Sequence, residues 1–169
     1  MRLTTRGFAG FVLAASAVVL GAALLSQYWG GLAPCELCLL QRWPWGVAVT
    51  ISLVTVLAGG RGALPWVAGV LALVFATSAV FAFYHLGVEQ KWFAGPSACT
   101  ASATGAMTLE ELKRQILATA PVRCDEVRWS LFGVSLAGWN LLASLIMTAV
   151  CAYALLQARR PASRAAAAA

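Results

Sequence analysis

Five cysteines are the residues of this sequence best suited to chemistry, and their spacing divides them. Cys35 and Cys38 enclose Glu36 and Leu37 in a Cys-x-x-Cys, Cys99 and Cys124 are separated by 24 residues, and Cys151 stands alone. A Cys-x-x-Cys closes too small a loop to stabilise much and its disulfide is readily cycled. The motif is therefore a redox or metal element more often than a staple. A four-thiolate zinc site needs a second pair about two to four residues apart, which the chain lacks, so no metal is expected. Cys99 and Cys124 have two readings. As a structural disulfide they would contribute about 3.5 kcal/mol by the loop-entropy relation. As an exchange disulfide they would use the Gly, Ser and Ala around Cys99, because attack by a foreign thiolate requires access.

These residues sit in a chain that is 61% apolar and 11% charged, against roughly 25% charged in an average soluble domain. A mean hydropathy of +0.80 is more than one small soluble core can hide. That excludes a soluble enzyme, a disordered tail and a secreted disulfide mini-protein, and leaves an integral membrane protein. A helix needs about 20 apolar residues to cross the hydrocarbon, and four uncharged stretches supply them. The expected fold is an all-α membrane protein, a four-transmembrane-helix bundle with spans over about 8–26, 43–60, 63–87 and 136–157. Residues 1–160 form its single domain, and the Ala-rich 161–169 a disordered tail. The first apolar run is longer than that of a usual signal peptide and lacks a clear small-x-small site after it, so it is expected to remain as a span.

An even number of spans puts both termini on one side. Arg2, Arg6, Arg61, Arg159, Arg160 and Arg164 fall in the tails and the tiny middle turn, while all six acidic residues share the opposite side with the other six basic ones. The net charge of +6 thus belongs to one face. Lys and Arg counts tie, and the density of positive charge close to the span ends breaks the tie. Both termini are expected to be cytoplasmic, with outer loops over about 27–42 and 88–130. The basic charge is topology and not nucleic-acid binding.

With that orientation Cys35, Cys38, Cys99 and Cys124 all lie where disulfides form and persist, and Cys151 is a small packing residue in the fourth span. Two pairs on one face suggest a relay by thiol–disulfide exchange, which tips Cys99 and Cys124 toward the exchange reading. Cys38 stands at the head of the second span. The chain has no haem motif, iron–sulfur spacing or Gly-rich dinucleotide loop, so a lipid-soluble quinone is the economical electron sink. Arg42 either favours the Cys38 thiolate and a charged quinone oxygen or merely anchors a helix end. His85 either relays protons to a reduced quinone or is a plain interfacial histidine. Trp43 and Trp45 read as belt residues, Pro44 as the first turn of the second span, and Asn140 as a bond to another helix. Glu36 should oppose a neighbouring thiolate by like charge. In the second loop, 108–118 reads as a short helix, with Thr108 and Glu111 in capping-box spacing, that is expected either to lie at the membrane interface or to pack against the bundle.

Taken together, these residues resemble the disulfide bond formation protein B (DsbB) family of the bacterial inner membrane. The resemblance covers essentially the whole chain. It rests on the four spans, CELCLLQR in the first outer loop, YH near the end of the third span, and CDEVRWSLFG from the second-loop cysteine. It implies that Cys35 and Cys38 are a pair coupled to quinone, ubiquinone or menaquinone. Cys99 and Cys124 would be the pair that exchanges with a DsbA-like periplasmic thioredoxin-fold oxidase, and Arg42 would take part in quinone interaction. The implied activity is that of a protein dithiol:quinone oxidoreductase. A DsbA-type partner has a potential of about −120 mV, and about 30 mV uphill costs about 1.4 kcal/mol for two electrons, so either these disulfides are unusually oxidising or the quinone draws the relay forward, the second favoured with the first contributing. The Trp43-Pro44-Trp45 cluster is bulkier than the family pattern leads one to expect. Two rivals are a non-catalytic scaffold with structural disulfides and an enzyme of the vitamin K epoxide reductase type. The latter carries its Cys-x-x-Cys near the end of a late span, whereas here the motif follows the first.

Overall fold

The computed structural model describes residues 4–59, 62–96, 108–110, 113 and 122–159. Four helices carry most of them: α1 (Thr5–Tyr28), α2 (Glu36–Ala58), α3 (Leu64–Glu89) and α4 (Leu136–Arg159). All four are long and apolar enough to cross a membrane. At 1.5 Å per residue even the shortest, of 23 residues, extends about 35 Å against about 30 Å of hydrocarbon. A small antiparallel hairpin, β1 (Ser130–Leu131) and β2 (Val134–Ser135), immediately precedes α4.

Local chemistry sets the helix ends. Thr4 opens α1, its Oγ1 accepting from the Gly7 amide at 3.1 Å. Cys35 opens α2, its Sγ accepting from the Cys38 amide at 3.2 Å. Gly59 closes α2 at φ 63°, the left-handed cap that only glycine adopts without strain, and a Cβ there would meet the Arg6 guanidinium laid over the turn. Pro65 occupies the first turn of α3, where its missing N–H costs nothing. Ser135 opens α4, its Oγ accepting from the Gly138 amide at 3.2 Å.

Three features depart from the sequence expectation. The loop expected over 27–42 is already helix from Glu36, because Cys35 acts as the cap. Pro44 consequently lies inside α2 rather than in its first turn, a placement spanning helices tolerate when neighbours satisfy the freed carbonyl. Trp43 is exposed as a belt residue would be, but Trp45, on the opposite face, is only 2% exposed and belongs to the core. The hairpin is the third departure. Phe132 and Gly133 adopt φ of 53° and 77°, the paired left-handed conformations of a two-residue turn whose twist matches its strands. Of the expected interfacial helix, Leu109, Glu110 and Lys113 are helical, Thr108 stands just before them outside the helix, and 111–112 and 114–118 lie outside the described residues. Cys99 and the 161–169 tail lie outside them as well.

The helices pack in chain order, α1 on α2, α2 on α3 and α3 on α4. Phe8 and Val12, Trp45 and Ala48, Leu71 and Phe75, and Met147 and Cys151 bring all four into one core. Trp45 meets Phe75 edge to face at 5.0 Å. Ser144 donates to Ser78 at 2.9 Å between α4 and α3. Among the described residues, the buried hydroxyls of Ser16 and Ser52 have no partner. An unpartnered buried hydroxyl costs stability, whereas deleting one member of a pair strands the other. The double variant Ser16→Ala/Ser52→Ala should therefore raise the thermal unfolding midpoint in detergent by the equivalent of about 1 kcal/mol. Ser144→Ala should lower it by about as much. A lowered midpoint in the double variant would mean that Ser16 and Ser52 are hydrogen-bonded after all.

Candidate active site

Cys35 and Cys38 are free thiols that share a hydrogen bond, with sulfurs 2.8 Å apart. Capping α2 puts the Cys35 sulfur at the positive end of the helix dipole, where an anion is favoured. Its thiol is lowered to about 4, chiefly by the hydrogen bond with Cys38, with burial opposing the shift and His85 adding to it. Glu36 is exposed in the first turn, and the expectation that its charge would oppose the thiolate is outweighed by these partners.

His85, near the end of α3, is buried against this pair, its Nε2 3.6 Å from the Cys35 Sγ. Its Nδ1 lies 2.6 Å from the Gln41 side-chain nitrogen. Gln41 accepts in turn from Asn140 of α4, whose Oδ1 accepts from the Trp45 indole at 2.9 Å. Glu89, one turn beyond His85, lies 3.9 Å from its Nε2 and accepts from the Ser135 hydroxyl. Asn140 thus bonds a neighbouring helix as expected. Gln41, Trp45 and Glu89 were not among the expected site residues. Once a helix starts at Cys35, positions 38, 41, 42 and 45 share one face, so the cap was the signal that would have found Gln41 and Trp45.

Cys124 is disulfide-bonded and 1% exposed, in one buried cluster with Cys35, Leu37 and Val88 against which Cys38 packs. Its neighbour Asp125 accepts from Lys91, just past α3, at 2.6 Å and from Arg123 at 3.0 and 2.8 Å. These two cations hold the Asp125 carboxyl well below the usual carboxylate range. The start of the second loop is braced too: Tyr84 donates to the Ala94 carbonyl at 2.8 Å, and Phe93 stacks on Tyr84 over Gly87, where a Cβ would displace it.

Arg42 does not turn back to the thiols. Its guanidinium donates to Gln27 Oε1 at 2.6 Å and to the Ala23 carbonyl at 3.3 Å, both on α1. It lines a cavity of about 730 Å³ together with Cys35, Cys38, Gln41 and His85. Most of its wall is apolar, running along α1 from Ser26 to Val18 and along α4 from Leu136 to Ala143, and Glu89, Arg123, Glu126 and Arg128 also line it. The donor atoms of Cys35, Cys38 and His85 lie within 4.8 Å of one another, three of the four that a closed zinc site takes.

The profile of the family described as disulfide bond formation protein DsbB matches residues 5–154. A disulfide bond formation protein B of Stutzerimonas stutzeri (strain A1501) is 30% identical over 87% of this chain and 93% of its own length. That of Hahella chejuensis (strain KCTC 2396) is 30% identical over 94% and 97%, and that of Marinobacter nauticus (strain ATCC 700491 / DSM 11845 / VT8) 30% identical over 94% and 96%. No solved structure matches the chain.

A thiol lowered to about 4 is thiolate above that pH and loses its reactivity as the pH falls through it. Iodoacetamide at about pH 5 should therefore alkylate Cys35 of the reduced protein while leaving Cys151 unmodified, because only the thiolate is nucleophilic. Peptide mass mapping reads the result, and an unmodified Cys35 at that pH would refute the capped-thiolate geometry.

Proposed function

The chain belongs to the disulfide bond formation protein DsbB family, and on that premise we propose that it is a protein dithiol:quinone oxidoreductase that reoxidises a periplasmic DsbA-type thiol oxidase. Family membership and four spanning helices make it a multi-pass inner-membrane protein involved in disulfide bond formation. The observation that carries the finer reading is the buried cluster holding Cys35, Cys38 and the disulfide-bonded Cys124 together beside an apolar cavity. Sulfurs gathered in one cluster can exchange without crossing water. A mostly apolar cavity lined also by Arg42, Gln41 and His85 together with the two cysteines fits a ring bearing two carbonyl oxygens and an apolar tail.

In the proposed cycle the partner's thiolate attacks a Cys99–Cys124 disulfide and forms a mixed disulfide. The partner's second thiolate then displaces it, leaving the partner oxidised and Cys99 and Cys124 as thiols. Those thiols reduce the Cys35–Cys38 disulfide by the same two displacements. Quinone, when bound, supplies the sink for two electrons and two protons, so that the sum is partner dithiol plus quinone giving partner disulfide plus quinol. The protein's own residues prepare that last transfer. The end of α2 holds Cys35 as thiolate, His85 stands beside it, and Arg42, tethered to α1, offers positive charge at the cavity wall. In this reading residues 1–160 form one membrane domain with cytoplasmic termini and the cysteine end faces the periplasm, which the charge distribution supports.

The test is quinone reduction by the purified protein with a reduced DsbA-type protein as donor. The wild type should turn over, and Cys38→Ser and Cys124→Ser should each stop it. Equal quinone reduction without those cysteines would return the disulfides to a scaffold role. Arg42→Ala should raise the apparent KM for quinone roughly tenfold, the worth of one charge-assisted hydrogen bond, while mixed-disulfide formation with the partner persists. An unchanged KM would remove Arg42 from the quinone site.

A further inference from the structure

Behind the dithiol runs a chain of hydrogen bonds that ends on the His85 beside Cys35. It passes from Trp45 to Asn140, from Asn140 to Gln41, from Gln41 to His85 Nδ1, and from His85 Nε2 to the Cys35 sulfur. The direction of every link is decided at the far end. An indole N–H only donates, so Asn140 must turn its oxygen to Trp45 and its NH₂ to Gln41. Gln41 must then accept with its carbonyl and present its own NH₂ to His85. That leaves Nδ1 only the acceptor role, and a neutral imidazole carries its single proton on the other nitrogen. Any reversed link would aim donor at donor. Trp45, His85 and Gln41 are 2%, 3% and 6% exposed, so a mismatched pair has little water to relieve it.

We propose that Trp45, Asn140 and Gln41 are positioning residues that hold the His85 proton on Nε2, making His85 a hydrogen-bond donor to the Cys35 sulfur. The inference rests on the reading of Cys35 and Cys38 as the reactive dithiol, and it specifies the state of the histidine beside them. It also decides between two uses of the same atoms. With a lone pair on Nε2, Cys35, Cys38 and His85 would be a three-donor trap for a soft cation. With the proton there, the third donor is withdrawn and the sulfur gains a partner that stabilises its anion. The titratable groups facing Cys35 are Cys38 from α2, and His85 and Glu89 from α3.

His85 is the sole histidine of the chain, so ¹⁵N-histidine labelling of the full-length protein in detergent gives one pair of ring-nitrogen signals. At neutral pH the wild type should show a protonated Nε2 and an unprotonated Nδ1. Trp45→Phe keeps a ring against Phe75 but removes the donor that sets the chain. Asn140→Leu cuts the chain in the middle. Each should populate both tautomers and raise the midpoint of Cys35 alkylation by about one pH unit, the tenfold effect of one hydrogen bond to a charged group. The alkylation is followed in a Cys38→Ser/Cys151→Ala background. A wild-type proton on Nδ1, or protons on both nitrogens, overturns the proposal, as does an unchanged tautomer in the variants. The wild-type spectrum decides even if a variant fails to fold. Neither readout requires turnover, so a dead quinone assay and a wrong tautomer are separate results.

Discussion

The bond from the Cys38 amide to the Cys35 sulfur fixes where α2 begins, and the rest of the site follows from that starting point. Residues three, four and seven apart on a helix share a face. Starting the helix at the first cysteine therefore turns Cys38, Gln41, Arg42 and Trp45 toward the same interior. A helix starting at Trp43 would have left the cysteines on a loop and their angular relation to Trp45 undefined. The same cap places the reactive sulfur where the free amides of the first turn favour negative charge. Structure and reactivity here are one interaction.

A bundle this apolar gains by pairing the polar groups it encloses, because lipid offers no replacement partner. The site does so by passing hydrogen bonds between helices: Gln41 of α2 links to His85 of α3 and Asn140 of α4. Trp45 does two jobs, its ring packing on Phe75 and its N–H serving Asn140. Around this centre, Glu89 ties α3 to the cap of α4 through Ser135. Lys91 and Arg123 grip Asp125 beside Cys124. The Cys124 segment is thereby moored to α3 although it belongs to a loop.

The bundle was legible in the sequence because uncharged runs long enough to span leave few alternatives, and the Cys-x-x-Cys was legible because its spacing carries its own chemistry. What escaped was set by local geometry. Cysteine is not a usual helix cap, so the residue types alone point to a start of α2 at Trp43 and Pro44 and to an interfacial Trp45. The hairpin escaped because two-residue strands carry no periodicity, and Phe132 is an unusual occupant of a left-handed position. His85 could be named but not situated, since its partners Cys35 and Gln41 come from α2 and the Asn140 behind Gln41 from α4, all distant in sequence.

The cavity is walled by α1 and α4, two helices that do not pack closely on each other, and this bears on how it fills. A molecule entering between them arrives sideways out of the bilayer and has left water long before it meets the protein. The desolvation gain belongs to the lipid phase, and what governs occupancy is mole fraction in a two-dimensional solvent. A shallow intrinsic affinity would then be enough to keep such a slot filled. Diluting the protein in water leaves that equilibrium untouched, whereas diluting it in detergent or lipid empties the slot.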